Sequence, residues 1–91
     1  MMRRVYVKIK GRVQGVGFRF FTQTLAIDLN LTGYVKNSYD GSVIIEAQGN
    51  DINLNNFLDT LKTGNRFANV EDIEISYIDL IDKEKKFKVK Y

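Results

Sequence analysis

Val5, Val7 and Ile9 alternate with Tyr6, Lys8 and Lys10. A period of two puts one row of side chains in a core and the other in solvent, so the spacing predicts a half-buried strand that ends at Gly11. A glycine-rich loop follows as far as Gly17. From there Phe18, Phe21, Thr22, Leu25, Ala26 and Leu29 recur at three- and four-residue spacing, which is one face of a helix. Asn30 is expected to close it, because Asn tolerates the left-handed conformation found at helix C-termini. Thr32 to Ser38 reads as a second strand. Tyr39-Asp40-Gly41-Ser42 reads as a hairpin turn in which Asp40-Gly41 supplies positive φ. Val43, Ile45 and Ala47 mark the buried face of a third strand, ended by Gly49. Asn50 and Asp51 are N-cap candidates for a second helix, with Leu54, Phe57, Leu58 and Leu61 as its apolar stripe and Gly64 as its end. Ile73, Ile75 and Tyr77 give a fourth strand. A charged turn at 82–86 leads to a short fifth strand, Phe87 to Tyr91.

The order β-α-β-β-α-β plus a terminal strand predicts an α+β fold. It is the ferredoxin-like split βαβ sandwich, with an antiparallel sheet and both helices on one face. In that topology the first and third strands are central neighbours, and the second pairs with the third. The loop after the first strand and the middle of the second strand then border one crevice. A length of 91 residues bounds the chain at a single domain, 1–91. Phe18, Phe21, Phe57 and Phe67 are expected in the core. The lysine-rich stretch at 83–90 is expected to be a solvated turn and a protected edge strand.

Composition narrows the chemistry. The chain has no cysteine, which excludes disulfides, cysteine nucleophiles, thiolate zinc sites and iron–sulfur clusters. It has no histidine, which removes the usual general acid/base near neutral pH and the commonest transition-metal ligand. What remains is Arg, Lys, carboxylates, amides, hydroxyls and backbone. A net charge of +3 suits an anionic ligand and is too small to demand nucleic acid. No apolar run is long enough to span a membrane. The basic opening Met1-Met2-Arg3-Arg4 has no apolar stretch behind it, so the expected location is the cytoplasm. Nothing in the pattern compels more than a monomer.

The stretch Gly11-Arg12-Val13-Gln14-Gly15-Val16-Gly17-Phe18-Arg19 lies between the first strand and the first helix. Its glycines allow a tight curve whose N–H groups point inward. Such a nest running into a helix N-terminus binds tetrahedral anions. It is not a Walker A loop, because no Gly-Lys-Ser/Thr follows, and it lacks the third glycine of a dinucleotide fingerprint. The first two turns of the helix contain no Asp or Glu and begin with Arg19. A cation there opposes the helix dipole at a cost of roughly 0.3–1 kcal/mol, and a bound anion would reverse the sign. The competing reading is a flexible turn with a surface arginine. Gly33-Tyr34-Val35-Lys36-Asn37 precedes the hairpin. Asn37 taken alone is a turn-flanking residue, and its interest comes from the crevice it shares with the glycine-rich loop.

These two stretches, continued by Gly41-Ser42-Val43 and closed by Gly49, resemble the acylphosphatase family over nearly the whole chain. The resemblance implies hydrolysis of carboxyl–phosphate anhydrides without a metal or another cofactor. A small-molecule acyl phosphate is the implied substrate, and inorganic phosphate the product and competitive ligand. On the family pattern Arg19 is the phosphate-binding arginine and Asn37 orients the attacking water. Backbone N–H groups of Gly15, Val16, Gly17, Phe18 and Arg19 form the cradle. Gln14 either braces the loop through its amide or is a surface residue, and Arg12 adds long-range attraction without touching substrate. Two positions depart from the family. Leu29-Asn30-Leu31 stands where Leu-Gly-Leu is common, and Asn keeps the same geometry. Gly64-Asn65 stands where Gly-Pro is common, which predicts a more mobile loop. Neither departure is expected to touch the site.

Two other classes compete. RNA-recognition modules share this element order, but the third strand would present Ile44 and Glu46 where stacking aromatics are needed. A catalytically silent anion-binding regulatory domain would keep the cradle without turnover, since fold alone does not fix function.

Overall fold

A computed structural model describes all 91 residues. Five strands and two helices follow in the order β1 (Met2–Arg12), α1 (Phe18–Asp28), β2 (Thr32–Asn37), β3 (Val43–Asn50), α2 (Asp51–Thr63), β4 (Asn69–Ile78) and β5 (Phe87–Lys90). The sheet order is β4-β1-β3-β2-β5. β1 and β3 are central antiparallel neighbours, as the split βαβ reading requires, with Val5 opposite Ala47 and Val7 opposite Ile45. β2 pairs antiparallel with β3, and β4 antiparallel with β1.

The sheet is mixed, not wholly antiparallel, because β5 runs parallel to β2. β4 and β5 lie on opposite edges, so the segment between them must cross the sheet. The helices occupy one face, and the crossing takes the other. Arg4 anchors it there. Its guanidinium, 1% exposed, bonds Glu46 at 2.9 Å and Glu84 at 2.8 Å. Gln48 accepts from the Ile81 N–H and donates to its carbonyl, and Tyr34 donates its hydroxyl to Glu46. Burial opposes the charge on Arg4, but the hydrogen bonds of Glu84 and Glu46 outweigh it and raise its pKa. Burial and the bond to Glu46 push the Tyr34 hydroxyl up to about 12.

On the helix side the core follows the predicted rows. Val5, Val7, Ile9, Val35, Val43, Ile45 and Ala47 meet Phe18, Ala26, Leu54, Phe57, Leu58 and Leu61. Phe21 packs against this cluster, whereas Phe67 is exposed on the loop before β4 and does not join it. Asn50 caps α2 by accepting from the Asn53 N–H at 2.9 Å, and Asn30 takes the expected positive φ of 57°. In the β2–β3 turn only Gly41 has positive φ; Asp40 instead accepts from the Ser42 N–H and hydroxyl. β1 continues past Gly11, where a register shift lets Gly11 adopt φ +131° against β4. A Cβ there would lie 2.1 Å from the Asn69 carbonyl oxygen, so no other residue fits.

Candidate active site

The glycine-rich loop joins β1 to α1 over Val13–Gly17. Gly17 occupies the N-cap with φ 76° and ψ 17°, in the left-handed region, and no side chain caps the helix. The first N–H groups of α1 therefore carry no capping acceptor, and the first turn holds no acid. Val13 is buried beneath the loop. Gln14 donates its Nε2 to the carbonyls of Ser38 and Ser42, each at 2.8 Å. It thus ties the loop to the β2–β3 turn.

A cleft of about 700 Å³ opens beside this loop. Gly15, Gly17, Phe18 and Arg19 form one wall, and Asn37 contributes from the end of β2. Gln23, Phe87, Val89 and Tyr91 extend it along α1 and β5, and Lys86 and Lys88 stand on its rim. No acidic side chain lines it. Val16, expected among the cradle residues, lies outside the lining with its carbonyl turned to another partner.

Arg19 forms no ion pair within the protein; its guanidinium rests 4.8 Å from the Tyr91 ring centroid. Stacking of this kind holds the planar group without occupying its donors. Asn37 Oδ1 is buried and meets no donor of the protein. Leaving such an oxygen unpaired costs about 1–3 kcal/mol unless a water or ligand meets it. Below the turn, Lys8 bonds Asp40 at 2.9 Å. That ammonium, with the Ser42 hydroxyl and amide, holds the Asp40 carboxyl well below the usual carboxylate range. Asp40 therefore stays ionised and brings no titrating group to the cleft. Arg12 is exposed on β1 and does not line the cleft.

Several contributors escape a reading of local sequence. Phe20, Lys86 and Lys88 reach the cleft through packing that local pattern does not encode. Tyr91 has a faint signal as a terminal aromatic. Asn65, expected to be remote, donates its Nδ2 to the Val16 carbonyl at 2.7 Å. The Gly64-Asn65 segment thus touches the loop directly, correcting the expectation that this departure leaves the site alone.

The fold and cleft define a ferredoxin-like α+β sandwich with a cationic, acid-free cleft at the start of its first helix. The family model for acylphosphatase matches residues 5–89. The acylphosphatase of Clostridium acetobutylicum is 54% identical over 91 residues, covering 100% of both chains. That of Geobacillus kaustophilus is 49% identical, covering 99% of this chain and 96% of its own. The crystal structure of the Bacillus subtilis acylphosphatase superposes with a TM-score of 0.94 at 37% identity, covering 100% of both. The chain belongs to the acylphosphatase family and is an enzyme of the hydrolase class. The family implies an acyl phosphate as substrate and inorganic phosphate as product. No helix is long and apolar enough to cross a membrane.

Proposed function

We propose that this cleft hydrolyses small acyl phosphates by in-line attack of water on phosphorus, with no metal and no covalent intermediate. The observation that carries the reading is that Arg19, free of any ion pair, and Asn37, with its Oδ1 unpartnered, line the same cleft as Gly15 and Gly17. Arg19 gives two parallel N–H donors to phosphate oxygens. The N–H groups of Gly15, Gly17, Phe18 and Arg19 complete the cradle, where the helix dipole favours negative charge. Asn37 both donates and accepts, which holds a water in line but is too weak to deprotonate it. The water proton passes to a phosphate oxygen. The leaving carboxylate has a conjugate acid in the ordinary Asp/Glu range, so it departs without a general acid. This fits a chain without histidine. Gln14 holds the loop in place, and inorganic phosphate competes for the same cradle.

The chain works as one unit over residues 1–91, as a monomer in the cytoplasm, with no nucleic acid or membrane partner. The sheet face that an RNA module would use carries Arg4 and Gln48 beneath the 79–86 segment. The test is hydrolysis of a simple aromatic acyl phosphate, with chelator present, by wild type, Arg19→Ala and Arg19→Lys. Losing one preorganised oxyanion donor costs roughly 10²–10³ in rate, so both variants should fall at least that far. Lys should not rescue, since its point charge lacks the planar fork. A lysine variant near wild-type rate would reduce Arg19 to a source of positive potential. Phosphate binding without wild-type turnover would select the regulatory-domain reading.

A further inference from the structure

The turn between α2 and β4 reaches the phosphate loop from the side away from the cleft. Asn65 sits in this turn, directly after the α2 C-cap Gly64. Its Nδ2 donates to the Val16 carbonyl at 2.7 Å, and its Oδ1 accepts from the Ala68 N–H at 2.9 Å. The two bonds fix which end of the amide is which, because only nitrogen can face a carbonyl and only oxygen can face an N–H. Val16 and Asn65 both lie outside the cleft lining, whereas Gly15, Gly17 and Phe18 belong to it. In a trans peptide the C=O and the following N–H point in opposite directions. Anchoring the Val16 carbonyl to Asn65 therefore turns the Gly17 N–H the other way. Gly17 itself is close enough that a Cβ on it would lie 3.7 Å from Asn65 Nδ2.

We infer that Asn65 is a positioning residue for phosphate: by holding the Val16–Gly17 peptide plane from behind, it aims the Gly17 N–H into the cradle. The inference rests on the cradle described under Proposed function. Asn65 does not touch substrate. Its effect is on binding at the phosphate end, through a bond that spans 49 residues of sequence. A loop rich in glycine has many accessible backbone conformations, so one firm anchor on a single peptide plane removes much of that freedom.

The experiment compares wild type, Asn65→Asp, Asn65→Ala and Thr63→Ala, with inorganic phosphate as the probe. Asn65→Asp keeps an acceptor for the Ala68 N–H but replaces the donor to Val16 with a charged oxygen, whereas Asn65→Ala removes the donor without adding charge, so an effect shared by both belongs to the lost donor. Thr63→Ala removes the Thr63 hydroxyl bond to the Thr60 carbonyl at the end of α2 without touching the loop. Three quantities are read: the phosphate inhibition constant, the Gly17 amide shift on phosphate titration, and Tm. Both Asn65 variants should raise the inhibition constant and KM together by about three- to tenfold, the span expected for one hydrogen bond. The Gly17 amide should lose its response to phosphate in both. Thr63→Ala, a change at the same helix end that leaves the Asn65 bonds in place, should leave the inhibition constant and the Gly17 response unchanged. A folded Asn65→Asp with wild-type phosphate inhibition and a wild-type Gly17 response would overturn the inference. A wild type that neither turns over acyl phosphate nor binds phosphate would overturn the cradle reading itself, a different and recognisable result.

Discussion

In the proposed reaction Arg19 and Asn37 divide the work between a charge and an amide. The guanidinium is assigned the group that is transferred, and the amide the group that attacks. On that assignment Asn37 meets the water and not the phosphate, so its removal acts on the chemical step, whereas Arg19 acts on binding and chemistry together. Asn37→Ala should therefore lower kcat by roughly the 10²–10³ of a lost positioning donor while phosphate affinity stays near wild type. That both residues line one cleft was legible in the sequence, Arg19 as a cation misplaced at a helix start and Asn37 through the motif it belongs to. Asn65 was not. Its side chain matters because of a carbonyl 49 residues away, and nothing in Gly64-Asn65-Arg66 records that distance.

The first turn of α1 is the element most visibly shaped against its own stability. Gly17 provides no side-chain cap, and no acid complements the dipole. Phe20, 72% exposed, lies in that turn on the edge of the cleft. Phe20→Glu should stabilise the helix by about 0.5 kcal/mol through the dipole, while raising KM for acyl phosphate by placing a carboxylate beside the cradle. Thermal denaturation and steady-state kinetics on the same sample check both signs. A variant that gained stability with no change in KM would mean the phosphate does not sit at this helix end. The element pattern itself was readable, since periods of two and near 3.6 are local properties. The parallel pairing of β5 with β2 was not, because strand direction depends on where the preceding segment crosses. Phe67 misled for a related reason: an aromatic at an element boundary has no periodic neighbours to reveal its side.

Across the whole molecule, the buried Arg4 cluster holds the β4–β5 crossing onto the open sheet face and so sets where β5 arrives at the cleft. Its bonds span 42, 44 and 80 residues, which explains why Arg4 read only as part of a basic N-terminus. Burial disfavours the charge on Glu84, but Arg4 overrides it and holds the carboxyl below its ordinary 4.5. The unfolded chain then takes up a proton at Glu84 before the folded chain does. The stability from this pair is complete above about pH 4.5 and is lost as pH falls through the folded value. Glu84→Gln should be less stable than wild type at pH 7 and should lose less further stability on acidification to pH 3. Melting curves across that interval check it, and parallel declines for the two proteins would show that the pair contributes nothing through its charge. The chemistry of the cleft is tested by kcat and the phosphate inhibition constant measured together for Asn37→Ala. Loss of nearly all turnover with an almost unchanged inhibition constant is the predicted result. A large rise in that constant would place Asn37 on the phosphate and contradict the assigned division of labour.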